Sequence, residues 1–192
     1  MLTLYEYQLA LLDSMCDSAP VEAAAKLQEH SATRADTAAA ARRFRSDPRP
    51  TLDDYVAAWG SPDSMAVEPQ ERGRAWRRAR WNLTVWPDLQ LELSSPAAGM
   101  LFRQLVRRPA HRSPRLDSPA DLTPWSCTHS ELAAGALGPI VHVDGFGGIG
   151  DVVAFVGVDP KSRQDQIYWA HFDWSLLQFV DRAPETYVWQ AP

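Results

Sequence analysis

Apolar positions near the N-terminus recur three and four residues apart, which is the spacing of amphipathic helices. Thr3 and Glu6 have the spacing of a capping box at the start of the first such pattern, which continues to Cys16. Alanine-rich stretches over 21–29 and 34–45 have a high intrinsic preference for the helix. The N-terminal third is therefore predicted to be a small helical bundle.

Proline and glycine mark the boundaries of the next predicted elements. The run Asp47-Pro48-Arg49-Pro50 interrupts the helical pattern, because proline cannot continue a helix. Thr51 and Asp54 then cap a short helix that Gly60 ends. Residues 68–81 are rich in arginine and tryptophan at helical spacing, and we predict another helix there.

The middle of the chain changes its pattern twice. Leucines at alternate positions from Leu89 to Leu93 predict a half-buried strand, and residues 97–108 return to helical spacing. Four prolines then break 109–124 too regularly for a helix or a central strand. We predict a mostly helical region over 1–108, followed by a proline-rich loop or linker over 109–124.

β-Branched and aromatic residues are concentrated in the C-terminal third. Three β-rich runs, separated by turn residues, span 140–144, 152–158 and 166–172. A helix is predicted over 129–137, another over 175–180, and a final strand over 186–189. The sequence thus predicts an α+β fold, in which the helical region is followed over 125–192 by a small antiparallel sheet with a packed helix.

Composition indicates a folded protein. The 192-residue chain is 45% hydrophobic and 22% charged, close to the balance of an average domain. The segment from Met1 to Asp13 has no basic leader, and no stretch approaches the roughly 18 apolar residues of a membrane helix.

Only two cysteines occur, Cys16 and Cys127, without a CxxC partner. Frequent alanine, arginine and proline are typical of a GC-rich bacterial genome, so we expect a bacterial cytoplasmic protein without a cofactor.

Charge is distributed unevenly along the chain, although the net charge is only -5. Residues 1–70 carry 6 basic and 11 acidic groups, residues 71–115 carry 10 and 3, and residues 116–192 carry 3 and 10. A basic middle segment between acidic ends either pairs internally or presents a positive surface to an acidic partner.

Arginines are interleaved with tryptophan in the segment Arg72–Arg80. On the predicted helix, Arg74, Arg77 and Arg78 share a face with Trp81. Guanidinium groups neutralise phosphates and indoles stack on bases, so this segment is a candidate nucleic-acid site. The overall acidity and the scarcity of lysine disfavour that interpretation. The other two interpretations are a solvated or internally paired face and a protein-binding face.

The glycine-rich run from Gly145 to Gly150 matches the spacing G-x-G-x-x-G. A dinucleotide site needs a helix directly after these glycines, whereas a strand is predicted here. A kinase-like glycine loop needs a later catalytic loop, and only 31 residues follow Lys161. A turn or bulge that needs glycine for its backbone geometry is the simpler interpretation.

Two small groups of residues are candidates for a metal site and for a catalytic nucleophile with its base. His142 and Asp144 on one predicted strand, with His171 on a later one, form a candidate metal triad if the two strands are neighbours in register. Cys127 and His129 offer a thiol and a base, but residues two apart rarely adopt catalytic geometry. A turn at Asp144 and a helix cap at Ser126 or Thr128 explain the same residues more simply.

Aromatic residues cluster near the C-terminus. Strand alternation places Trp169 and His171 on one face of a predicted strand and Tyr168 and Phe172 on the other, so both faces are largely apolar. One face of a small antiparallel sheet normally meets water. The second apolar face is therefore expected to be covered by the helical region or by a partner.

The segregated charge and the lack of a convincing catalytic constellation favour a non-enzymatic intracellular protein-binding protein of the immunity, adaptor or chaperone-like kind. The residues predicted to form its binding surface are Arg74, Arg77, Arg78, Trp81, Asp165, Trp169 and Asp173. Two alternatives stay open: a small metal-dependent enzyme that uses His142, Asp144 and His171, and nucleic-acid binding through Arg72–Arg80.

Overall fold

Four α-helices precede the first strand. The computed structural model describes residues 1–46, 50–69, 75–96, 100–146 and 149–189. The helices are α1 (Leu4–Met15), α2 (Pro20–Glu29), α3 (Arg34–Ser46) and α4 (Leu52–Trp59). Both predicted capping boxes are present, because the hydroxyls of Thr3 and Thr51 each accept a hydrogen bond from the backbone N–H three residues further on. The predicted N-terminal helices are confirmed, while the predicted break at 47–50 lies mostly outside the described residues.

A four-stranded antiparallel sheet follows the helices. Its strands are β1 (Ser64–Pro69), β2 (Ala75–Asn82), β3 (Leu89–Pro96) and β4 (Phe102–Arg107), which neighbour one another in chain order. The strand predicted at 89–93 is confirmed. The helices predicted over 68–81 and 97–108 are wrong, since the described parts of both ranges are strands with short extended flanks.

Burial along β2 explains why the helix predicted over 68–81 does not form. Ala79 and Trp81 are buried, whereas Arg78 and Arg80 lie on the opposite face of the strand. This is the two-residue period of a strand. Arginine has a good helix propensity, but packing of the intervening residues overrides such a weak preference.

Aromatic residues join the helices to this first sheet. Trp59 of α4 contacts Trp81 of β2 edge to face, with ring centroids 5.3 Å apart. Tyr7 of α1 contacts Trp59 at 5.1 Å, and Leu91 and Leu93 of β3 are fully buried. The first unit, Met1–Arg108, therefore has a hydrophobic core of its own.

The second unit, Pro109–Pro192, is built around another four-stranded antiparallel sheet in chain order. Its elements are a short 3-10 helix (Pro119–Asp121), α5 (His129–Ala134), β5 (Val141–Phe146), β6 (Ile149–Val158), β7 (Asp165–Asp173) and β8 (Leu176–Arg182). The three predicted β-rich runs and the α+β class are confirmed. The predicted helix over 129–137 is present but ends at Ala134.

The helix predicted over 175–180 is wrong, because β7 turns directly into β8. Trp174 and Ser175 have φ angles of 51° and 63°, and Asp173 pairs with Leu176 across the turn. Two residues with positive φ make the tight hairpin connection whose twist matches antiparallel strands. The strand predicted over 186–189 is also wrong, since these described residues form a turn and irregular chain.

The core of the second unit lies on one face of its sheet. Phe155, Tyr168 and Phe172 point into it from β6 and β7, and Leu116 and Leu122 reach it from the proline-rich stretch. That stretch is therefore a loop packed onto the second unit. Of the helices that the described residues form, none has the length and apolar character needed to cross a bilayer.

Candidate protein-binding surface

Strand β7 carries three of the predicted binding residues on one face. Side chains alternate along a strand, and Tyr168, Ala170 and Phe172 point into the core. Asp165, Trp169 and Asp173 therefore lie on the opposite face, which also carries Ile167 and His171. This face of β7 is the one that points away from the core.

Neighbouring strands extend this surface, because residues directly opposite one another in a ladder share a face. Val156 pairs with Ile167, and Phe179 pairs with His171. We call the resulting set the outer face. It consists of Val141 and Asp144 on β5, Val152, Ala154, Val156 and Val158 on β6, Asp165, Ile167, Trp169, His171 and Asp173 on β7, and Leu176, Phe179 and Asp181 on β8.

The centre of the outer face is apolar and partly open to solvent. Val158 is 50% exposed and Phe179 is 38% exposed, while Val156, Ile167 and Trp169 are half-buried. Single exposed apolar residues are ordinary, but a contiguous apolar patch on a rigid element is typical of an interaction site. The sheet thus has a packed inner face and an apolar outer face.

His171 is held rigidly at the middle of the outer face. Its ring stacks on Phe179, with centroids 4.1 Å apart, and its Nε2 lies 3.1 Å from Oδ1 of Asp181. A planar ring fixed by both a stack and a carboxylate loses little further freedom when a partner covers it. These two contacts therefore limit the freedom of the His171 ring in the protein as it stands.

Trp169 is contacted by the chain that follows β8. The backbone N–H of Ala183 donates to the carbonyl of Ile167 at 3.0 Å, and a turn bonds Tyr187 N–H to the carbonyl of Pro184. This turn brings the Tyr187 ring edge-on to Trp169, at 5.6 Å between centroids. Within the described chain, the buried indole N–H of Trp169 has no acceptor.

Carboxylates lie among and around these apolar side chains. Asp165 begins β7 and Asp181 lies across from Trp169 on β8, and both are exposed. Between residues 109 and 192 the sequence has 5 basic and 10 acidic residues. The outer face therefore combines an apolar centre with an acidic surrounding.

The arginines of β2 are paired with carboxylates of the same unit. Arg77 donates two hydrogen bonds to Asp53, at 2.9 and 2.6 Å, and these bonds hold the pKa of the Asp53 carboxyl below its usual range. Arg78 pairs with Glu68 at 2.9 Å and with Glu92 at 3.3 Å. Among the interpretations of the basic segment, the internally paired face agrees best with these contacts.

Trp81 and Arg80, two other described residues of β2, also have their contacts within the first unit. Trp81 is 3% exposed, and its indole N–H donates to the carbonyl of Gly60 at 3.3 Å, so it belongs to the core of the first unit. Arg72 and Arg74 lie outside the described residues. Arg80 donates to Glu92 at 2.7 Å.

The candidate metal ligands are not brought together. His142 pairs with Val153, which faces the core, whereas His171 pairs with Val152 on the outer face. The two histidines thus lie on opposite faces of the sheet, with β6 between their strands. Within the described ranges, no three His, Cys, Asp or Glu side chains are grouped so that they could hold a metal ion.

The glycine-rich run and the Cys127 group have local structural roles. Gly145 has a φ of 94° at irregular pairing between β5 and β6, and a strand follows, as the bulge interpretation requires. Residues 147 and 148 lie outside the described chain. Cys127 is fully buried, and Thr128 forms a capping box with Glu131 at the start of α5, so the helix-cap interpretation is confirmed.

Sequence reasoning missed Phe179 and Asp181 as parts of the outer face, and it missed Tyr187 as a contact of Trp169. Because a helix was predicted over 175–180, Phe179 was not expected to lie in a sheet. Nothing in the local sequence pattern indicated that Tyr187 contacts Trp169. The signal that could have predicted a strand is the short run that contains Leu176, Leu177, Phe179 and Val180. Comparison with protein-family models, with curated proteins and with solved structures gives no significant match.

Proposed function

We propose that this is a non-enzymatic protein-binding protein, of the immunity, adaptor or chaperone-like kind, whose partner docks on the outer face. The observation that carries the proposal is the apolar character of that face, where Val158 at the end of β6 and Phe179 on β8 are exposed and Ile167 and Trp169 are half-buried. Covering such a patch is favourable by about 25 cal/mol for each Å² of apolar surface. Fixed aromatic side chains are typical anchors of protein interfaces.

The partner that fits this face has an apolar centre and a basic rim. Asp165 and Asp181 would meet lysine or arginine side chains, and such complementary charges raise the association rate and select the partner. A second copy of this chain fits poorly, because a two-fold interface places the same patch on both sides and would bring like carboxylates together. We therefore commit to a basic protein as the partner.

The cytoplasm is the compartment that we propose for this interaction. Cys16 and Cys127 are buried, one in each unit, and the sequence has no further cysteines. Domains that depend on disulfides for stability usually carry many more cysteines in a short chain.

The test is capture of the partner from native extract by the tagged protein and by matched variants. Val158→Arg and Phe179→Arg, made together, place positive charge on the outer face. Val21→Arg is the control, because Val21 is an apolar residue of α2 that is 75% exposed and lies outside that face.

We expect one basic protein to co-purify in stoichiometric amount with the wild type and with Val21→Arg, and to be lost with the double variant. Its retention should fall as salt is raised, because charged rims are screened. Equal capture by all three proteins, or self-association as the only interaction, would refute the outer face as the docking site. Circular dichroism of the variants confirms that their folds are intact.

A further inference from the structure

A cavity of about 200 Å³ lies in the first unit, between the helices and the edge strand β4. Its walls are made by apolar and aromatic side chains together with two arginines. They include Leu2, Tyr7, Phe44, Arg45, Tyr55 and Arg103. This cavity is separate from the outer face, which belongs to the second unit.

Arg103 is the unusual member of this wall. It pairs across the ladder with Leu93, which is fully buried, so Arg103 lies on the inner face of its strand. Its guanidinium carbon is 6.0 Å from the centroid of the Phe44 ring, a distance at which the aromatic face attracts a cation. Its Nε is buried and has no hydrogen-bond partner in the described chain.

The cation of Arg103 lacks a counter-charge among the described residues. The arginines of β2 and Arg107 of β4 each pair with a carboxylate, but neither Arg103 nor Arg45 does so within those residues. Placing an unpaired charge beside apolar walls is unfavourable unless an anion joins it. An anionic ligand would supply that missing partner.

The aromatic walls determine the shape of such a ligand. Tyr7 and Tyr55 are 1% and 2% exposed, and Tyr7 contacts Phe44 edge to face at 5.3 Å. Burial raises the pKa of the Tyr7 hydroxyl far above its ordinary value, so this hydroxyl stays protonated. Flat apolar groups pack well against such rings.

We propose that this cavity binds a small carboxylate with a flat apolar body, whose carboxylate pairs with Arg103 while its body lies among Tyr7, Phe44 and Tyr55. Size supports this ligand class, because an apolar protein cavity of about 150 Å³ is large enough for benzene. Arginine binds carboxylates through two parallel hydrogen bonds, which gives both strength and orientation. Arg45 is a second arginine in the lining of the cavity.

Benzoate is the probe that tests this proposal, and benzamide is its neutral counterpart of the same shape. In calorimetric titrations of the full-length protein, benzoate should bind about tenfold or more tightly than benzamide, because a hydrogen bond to a charged group is much stronger than a neutral one. Comparable binding of the two compounds, or no binding of benzoate, would overturn the proposal without any variant.

Arg103→Met keeps the length of the side chain and removes its charge. We expect benzoate affinity to fall about tenfold or more, while the unliganded variant melts no lower than the wild type, because an unpaired cation has been replaced by an apolar group. Arg42→Met is the control, since Arg42 is an exposed residue of α3 outside the lining. Unchanged benzoate affinity in Arg103→Met would contradict the assignment.

Discussion

Arginine side chains of β2 connect the elements of the first unit through carboxylates on three different elements. Arg77 binds Asp53 of α4, Arg78 binds Glu68 of β1, and Arg80 binds Glu92 of β3. Glu92 differs from the other carboxylates because its side chain is only 3% exposed. Exposed pairs of this kind contribute little to stability, whereas loss of one partner of a buried pair is costly.

Burial of the His129 imidazole is expected to make the stability of the protein depend on pH. The ring of His129, at the start of α5, contacts Phe172 at 5.3 Å, and burial lowers its pKa, an effect that Asp151 opposes and His142 reinforces. The unfolded chain therefore takes up a proton on this imidazole at higher pH than the folded chain does. Stability is fully present above the ordinary histidine pKa of about 6.5 and is lost as the pH falls below it.

We expect His129→Gln to flatten the dependence of the free energy of unfolding on pH between about pH 7 and pH 5. Urea unfolding at several pH values measures this slope. His111→Gln is the control, because His111 is exposed in the loop before the 3-10 helix, and it should leave the slope unchanged. An identical slope in wild type and His129→Gln would show that His129 does not control this pH dependence.

Turns and strand pairing decide which elements the sequence could predict. Thr3, Thr51 and Thr128 each begin a correctly predicted helix, because a capping box is a local signal with a local cause. The helix predicted over 68–81 was wrong because arginine suits helix and strand surfaces alike, and pairing with β1 and β3 decides the outcome. The hairpin at Trp174 and Ser175 was not predicted, because neither residue type usually has a positive φ angle.

Gly145 lies in the irregular pairing of β5 with β6, where its backbone conformation disfavours other residues. A Cβ added there would lie 2.5 Å from the Cα of Asp151, and φ is 94°, so alanine meets both a backbone clash and backbone strain. Gly138 also has positive φ, at 88°, but has open space around it. Gly138→Ala should therefore cost about 1 kcal/mol, and Gly145→Ala clearly more.

Thermal and urea unfolding of the two glycine variants measure this difference. The comparison isolates the clash, because both substitutions carry the cost of positive φ. Equal destabilisation by the two variants would mean that the irregular pairing of β5 with β6 adapts to a side chain at Gly145.

At the scale of the whole molecule, charge is divided unevenly between the two units. The sequence has 14 basic and 14 acidic residues over 1–108, against 5 and 10 over 109–192, so the second unit carries the net negative charge. Alternation along β7 was enough to predict that Trp169 and His171 share a face. Phe179 and Asp181 reach the outer face through the hairpin between β7 and β8, and Tyr187 contacts Trp169 through a returning chain segment; neither connection was predicted.

Site-specific photo-crosslinking tests the proposed function most directly. A benzophenone amino acid is placed at Phe179 on the outer face, at Val21 on α2, or at neither, and each tagged protein is irradiated in native extract. We expect one discrete adduct with a basic protein from position 179 and none from position 21. No adduct at position 179, the same adduct from both positions, or an adduct only with a second copy of this chain would contradict docking of a basic partner on the outer face.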